Sequence, residues 1–173
     1  GNSETVTYTH TGGSAANYYA RAYLYNDTRN TYSMTVSLSG GGGGGNNDTC
    51  ANATTVVNGT YTGSTSTATN DGSATCGRSN TSKDVWFKYT APRAGTLSLN
   101  TCNSSYDTVL SLHSACPGTS SNQLVCNDDC GGSPCGGTNS CLSRAVASGT
   151  TYYIRVAGYR GATGSFTLTV AGP

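Results

Sequence analysis

The residues of this chain best suited to chemistry are oxygen donors. Asn47, Asp48, Asn70, Asp71 and Asp84 form one set, and Asn127, Asp128 and Asp129 a second. Calcium takes roughly six to eight oxygen ligands from carboxylates, Asn side chains and loop carbonyls. Asn47, Asp48, Asp71 and Asp84 are therefore the expected calcium ligands, and Ca2+ the expected cofactor, at the point where the chain enters its second part. The second set makes another acidic corner. The alternative for both is turn formation, because Asp and Asn side chains hydrogen-bond their own backbone.

Acid–base catalysis has little to draw on. His10 and His113 are the two histidines, and neither stands beside a Ser or Cys nucleophile motif. Neither a G-x-S-x-G elbow nor an H-E-x-x-H helix occurs. Asp128 and Asp129 are a carboxylate pair, but neighbours along a strand point to opposite faces, whereas glycoside hydrolysis needs two carboxyls facing one bond. The chain is not expected to be an enzyme. Tyr153, Arg155, Tyr159 and Arg160 could line a sugar or protein surface on the outer face of the final strands.

The eight cysteines, Cys50, Cys76, Cys102, Cys116, Cys126, Cys130, Cys135 and Cys141, all fall in the second part of the chain. An even set of this kind reads as disulfides in an oxidising compartment. Their spacings lack the paired C-x-x-C knuckles of structural zinc. Cys50 with Cys76 and Cys116 with Cys126 are the preferred pairings. The expected location is outside the cell, secreted or on a bacterial surface.

The elements that must position these groups are strands. Twelve tyrosines and many Thr and Val residues favour pleated, half-buried segments, while a 3.6-residue apolar rhythm is nearly absent. Nine Lys and Arg against eight Asp and Glu give a net charge of +1, so nucleic acid is not an expected partner. No run approaches the roughly 18 apolar residues of a membrane span, and no signal peptide begins the sequence, which reads as a mature or excised form.

Residues 1–39 are expected to hold strands at Glu4–Thr9, Tyr18–Tyr25 and Thr31–Leu38. Six glycines, Gly40 to Gly45, form a tether. From Asn46 onward strands are expected at Thr54–Thr62, Asp84–Thr90, Gly95–Thr101, Thr108–His113, Gln123–Cys126, Leu142–Ala147, Tyr152–Gly158 and Gly164–Val170. About eight short strands separated by turn clusters predict an all-β, two-sheet, jelly-roll-like sandwich stapled by disulfides. Tyr152, Ile154, Val156, Phe166, Leu168 and Val170 alternate inward and are core candidates.

Part of this pattern is written twice. Tyr18-Tyr19, Arg21 and Tyr25, then Tyr32-Ser33-Met34-Thr35-Val36, recur as Tyr152-Tyr153, Arg155 and Tyr159, then Phe166-Thr167-Leu168-Thr169-Val170, at constant spacing. Both copies read as a hairpin. Only the second is preceded by enough chain to complete a domain, so residues 1–39 look like an N-terminal hairpin extension, the end of a preceding or swapped domain. Tyr18, Ala20, Ala22, Tyr32, Met34 and Val36 give it an apolar face to bury, and an isolated hairpin is marginal in water.

Five motifs in order carry a family likeness: Asn47-Asp48-Thr49-Cys50, Asp84-Val85-Trp86-Phe87-Lys88-Tyr89, Tyr106-Asp107-Thr108-Val109-Leu110, Cys126-Asn127-Asp128-Asp129, and Tyr152-Tyr153-Ile154-Arg155-Val156 with its following strand. Residues 46–170 thereby resemble the bacterial pre-peptidase C-terminal domain family. The resemblance implies a β-sandwich module attached to secreted proteases and surface proteins, binding matrix or acting as a spacer. Related collagen-binding members hold calcium near the domain entrance, which Asn47 and Asp48 match, while Asp84 matches the acid opening the aromatic strand.

Two functions follow as expectations. One is a structural protein that polymerises head to tail by donating its N-terminal strands to a neighbour. The other is an accessory module of a larger secreted hydrolase, with an extracellular matrix protein or polysaccharide as its partner.

Overall fold

The computed structural model describes residues 37–38 and 47–173. The expectations for the strands, tether and self-association residues upstream lie outside the described residues, apart from the last two residues of Thr31–Leu38. The chain divides into two units, Gly1–Met34 and Thr35–Pro173, and the second is the sandwich.

Ten strands build it: β1 Ser37–Leu38, β2 Thr54–Val56, β3 Gly59–Ser64, β4 Val85–Thr90, β5 Gly95–Asn100, β6 Thr108–His113, β7 Gln123–Asn127, β8 Cys141–Val146, β9 Thr151–Gly158 and β10 Ser165–Ala171. One sheet has the order β1-β3-β10-β5-β8, the other β2-β4-β9-β6-β7. The two-sheet, disulfide-stapled β-sandwich read from the sequence is the fold.

Two expectations need correction. The segment Thr54–Thr62 is not one strand: β2 pairs in parallel with β4, and β3 pairs with β10 in the opposite sheet. The break at Val57–Asn58 is pinned by the Tyr61 hydroxyl, which accepts from the Val57 amide at 2.9 Å and donates to its carbonyl at 3.0 Å. Val56 and Tyr61 then enter one core from opposite sheets. Second, β9 and β10 are not a hairpin. β9 lies between β4 and β6, and β10 between β3 and β5, so each is at the centre of its own sheet. The Tyr159–Gly164 connection crosses between sheets, with Arg160 and Gly161 in left-handed conformations.

This crossing is what the apolar pattern needs. Tyr152, Ile154 and Val156 from one sheet and Phe166, Leu168 and Val170 from the other are all buried in the same core. Phe166 meets Phe87 edge to face at 6.0 Å between ring centroids. A hairpin would have put both stripes on one sheet and left nothing to cover them.

The second sheet carries a further layer outside it. Trp86, Arg155 and Ser111 stand side by side on its outer face by strand register, and all are fully buried. The Trp86 indole lies against Gly72 and Gly118, where a Cβ would overlap the ring, so these two loop positions need glycine. Cys50, Ala53, Cys116 and Tyr153 pack around it.

All eight cysteines pair, but not as expected. The bonds are Cys50–Cys116, Cys76–Cys126, Cys102–Cys135 and Cys130–Cys141, with Cα–Cα separations of 5.8, 6.0, 5.2 and 4.9 Å. Cys50–Cys76 and Cys116–Cys126 would have been neighbours along the chain. The observed bonds instead join two loops beside Trp86 (Cys50–Cys116), a loop to β7 (Cys76–Cys126), the turn after β5 to a later loop (Cys102–Cys135) and that loop to β8 (Cys130–Cys141), which nearness in sequence does not show. Four such bonds fit an extracellular, oxidising environment.

Candidate functional site

The entrance residues lie in one loop cluster, and their oxygens are engaged by protein donors. Asp48 accepts from the Thr69 amide at 2.6 Å and its hydroxyl at 2.9 Å. Asp71 accepts from the Cys50 amide at 2.6 Å, and the Asn47 carbonyl accepts from the Trp86 amide at 2.9 Å. Asn70 donates to the carbonyls of Gly72 and Ser82, both at 2.9 Å.

Asp84 is fully buried and pairs with buried Arg155 at 2.7 Å. It also accepts from Trp86 Nε1 and from the amides of Asp71 and Gly72. Arg155 sends its remaining donors to Ser79 and to the carbonyls of Gly72, Ser79 and Ser82. Burial pushes the Asp84 carboxyl up and the Arg155 guanidinium down, while their contact works against both shifts. This pair orders the loop over Trp86. Arg155 therefore does not belong to an exposed binding surface with Tyr153; Tyr159 and Arg160 lie nearer the surface, with Arg160 5.1 Å over the Tyr159 ring.

His113 and Ser111 form the arrangement nearest to a nucleophile and its base. The Ser111 hydroxyl is 2.9 Å from His113 Nε2, and His113 Nδ1 is 3.1 Å from Asn122 Oδ1 and 3.2 Å from the Thr119 carbonyl. Both neighbours of Nδ1 are acceptors, so Nδ1 carries the proton and Nε2 accepts from Ser111. Burial holds the imidazole below its ordinary range. Both side chains are fully enclosed, with Trp86 5.4 Å from the imidazole, so no substrate reaches them.

The second acidic corner gains a third member. One oxygen each from Asp107, Asp128 and Asp129 lies within 4.8 Å of the others, the described group of carboxylates that so converges. Strand pairing causes this. β6 and β7 run antiparallel with Leu110 opposite Asn127, which brings the residue before β6 alongside those after β7. Asp128 and Asp129 lie beyond the end of β7, so strand alternation does not separate them. Asn127 supports rather than faces the corner, accepting from the Cys141 amide at 2.8 Å.

Asp107 Oδ1 and Asp128 Oδ1 are buried without a hydrogen-bond partner among the described residues. Burial, then the charge of Asp129, pushes Asp107 up; burial, then Asp107 and Asp129, pushes Asp128 up. Left-handed Gly77 lies against the Asp128 carboxylate with no room for a Cβ. Ser140 bonds the Asp128 and Thr108 carbonyls at 2.7 and 2.6 Å, and Cys130–Cys141 closes the loop beyond. Oxygen donors held together at such a cost in repulsion suit a hard cation such as calcium. Asp107 was visible in the sequence as the acid opening Tyr106-Asp107-Thr108-Val109; its link to Asp128 needed the pairing of β6 with β7.

With this geometry in view, the chain's relatives can be placed. Residues 46–170 match a T9SS-associated family described as galactose binding domain-like, and the chain belongs to that family. No curated protein matches it. Among solved structures, the pre-peptidase C-terminal domain of collagenase from Bacillus anthracis, determined at 1.0 Å, is 17% identical; the match covers 69% of this chain and 94% of that domain, with a TM-score of 0.46. That domain is of the kind the sequence resembles.

Proposed function

We propose that this chain is a non-catalytic accessory module of a secreted or surface-exposed protein, and that it binds a matrix or substrate carbohydrate. Membership of a galactose binding domain-like family carries this reading. The enclosed Ser111–His113 pair and the Asp84–Arg155 pair support it, because these groups are spent on packing. The four disulfides fit the location. Calcium at Asp107, Asp128 and Asp129 is the cofactor this reading adds, favoured by the two orphaned carboxylate oxygens; it would steady the corner rather than react. The entrance residues Asn47, Asp48, Asp71 and Asp84 are not part of this reading, because their oxygens are taken up by protein donors and Asp84 is buried against Arg155.

Head-to-tail polymerisation through Tyr18, Ala20, Ala22, Tyr32, Met34 and Val36 is the other reading, favoured by the repeated sequence. A donated copy of that motif binding as its second copy does would take the places of β9 and β10. Both are filled by the chain itself, which favours the accessory module.

The test is co-sedimentation of the oxidised chain with insoluble neutral polysaccharides and with collagen fibrils, assaying the supernatant for released sugar or peptide. Binding to a polysaccharide without release is expected. Binding to none, or release of product, would contradict the proposal.

A further inference from the structure

A cleft lies on the opposite side of the sandwich from the buried polar layer. β3 and β10 pair with Thr62 opposite Thr167 and Ser64 opposite Ser165, and strand alternation turns these four side chains outward, away from buried Tyr61, Phe166 and Leu168. The turn after β5 is stitched alongside them. The Ser105 amide donates to the Ser165 carbonyl at 2.9 Å, the Ser165 amide to Ser105 Oγ at 3.0 Å, and the Thr167 amide to Ser104 Oγ at 3.1 Å. Cys102–Cys135 fastens the start of the turn. The result is a cleft of about 390 Å³ lined by Thr62, Ser64, Asn103, Ser105, Ser165 and Thr167, with Gly63 and Phe166 completing it.

The chemistry of this lining selects its ligand. It contains no charged side chain, so an ionic ligand would lose its hydration without a counter-charge. The Ser64 and Ser105 hydroxyls are already engaged with Ser66 and Ser165, while Thr62, Asn103, Ser165 and Thr167 offer side-chain groups that can both donate and accept, which a polyhydroxyl ligand can use. Their spacing follows the sheet, about 4.8 Å between strands and about 6.7 Å along one, a grid suited to a molecule that presents many hydroxyls. Asn103 stands exposed at the rim in a left-handed conformation, φ 68°, held there by a turn already fixed before any ligand arrives. The volume is within the range of small-ligand sites, roughly 300–1,000 Å³.

From this geometry we infer that the cleft between β3, β10 and the Asn103–Ser105 turn is the carbohydrate contact, taking one or two units of an uncharged sugar chain through hydroxyl-to-hydroxyl hydrogen bonds. The inference rests on the accessory-module reading and adds to it a place and a charge class. The lining's aromatic ring, Phe166, is buried beneath Gly63 and offers no stacking platform, so binding is weak, with Kd in about the millimolar range.

The experiment is amide NMR of the full, oxidised chain titrated with neutral galacto-, gluco- and manno-oligosaccharides, and with oligogalacturonate as the charged comparison. Thr62→Arg and Ser165→Arg fill the cleft from exposed positions. Ser143→Arg, on exposed β8, is the control, and melting curves check that all three fold. A neutral oligosaccharide is expected to shift the amides of residues 62–64, 103–105 and 165–167, with binding at least about tenfold weaker in both cleft variants and unchanged in the control. Equal binding by parent and cleft variants would overturn the cleft while leaving the module reading intact, and so would preference for oligogalacturonate. If no oligosaccharide binds the parent, the cleft falls, and co-sedimentation with polysaccharide decides separately on the module.

Discussion

The ionisable residues divide into those that hold the fold and those that strain it. Asp84 and Arg155 belong to the first group. Each is fully buried with the other as its counter-charge, so removing one leaves an uncompensated charge inside. Arg155→Met is expected to cost about 3–5 kcal/mol of unfolding free energy, read by urea denaturation; a loss below about 1 kcal/mol would show that the pair does not order the loop. His113 sets a pH dependence. Its folded pKa is held below the ordinary 6.5, so its contribution is full above that value and is lost as pH falls toward the folded pKa. Melting temperature should therefore drop between neutrality and mildly acid pH in the parent and drop less in His113→Gln.

The Asp107–Asp128–Asp129 corner works in the opposite direction. Folded-state pKa values raised above 3.8 favour the fold at acid pH, and that gain is lost as pH rises and the carboxyls ionise. Calcium should raise the melting temperature at neutral pH by a few degrees and have a smaller effect at acid pH. Asp128→Asn should be more stable than the parent without calcium and unresponsive to it. Sequence showed Asp84, Arg155, His113, Asp128 and Asp129 as candidates, and Asp107 only as part of a family motif. It could not show that Arg155 meets an acid 71 positions away, because that contact depends on which strands become neighbours.

At the scale of elements, the strands from β4 to β10 were legible because alternating apolar residues mark them locally. Tyr152, Ile154 and Val156 declare an inward face whatever the partner strand is. Pairing is not local, and so the final two strands read as a hairpin although they sit in different sheets. The disulfides were misread for the same reason: Cys50 joins Cys116 across 66 residues. Two outcomes follow from the observed pairing. Phe166→Ala, which removes a ring packed on Phe87 from the opposite sheet, should cost about 3–5 kcal/mol. Replacing Cys76 and Cys126 by Ser should cost about 2–5 kcal/mol, whereas a Cys76→Ser change alone should also release one titratable thiol, from Cys126.

For the molecule as a whole, the sequence repeat pointed to a hairpin seeking a partner, and the fold alters what such a segment would require. The motif's second copy supplies the central strand of both sheets, with β4 and β6 flanking one and β3 and β5 the other. A donor strand pair taking the places of that second copy would have to displace both centres, whereas the end of the N-terminal segment, β1, pairs at the edge of one sheet, in parallel with β3. The edge strand β8 is guarded as well: Arg144 pairs with Leu97, a core residue of β5, yet is exposed between buried Leu142 and Val146, a charge where an added strand would need an apolar residue. Among the described residues the two sheets close over a common core, as the accessory-module reading expects.

Sedimentation velocity of the intact oxidised chain with calcium, over a hundredfold range of concentration, tests that claim most directly. A single species at the monomer mass throughout is expected. Growth into polymers that vanish when residues 1–39 are removed would contradict it, and would make strand donation the function.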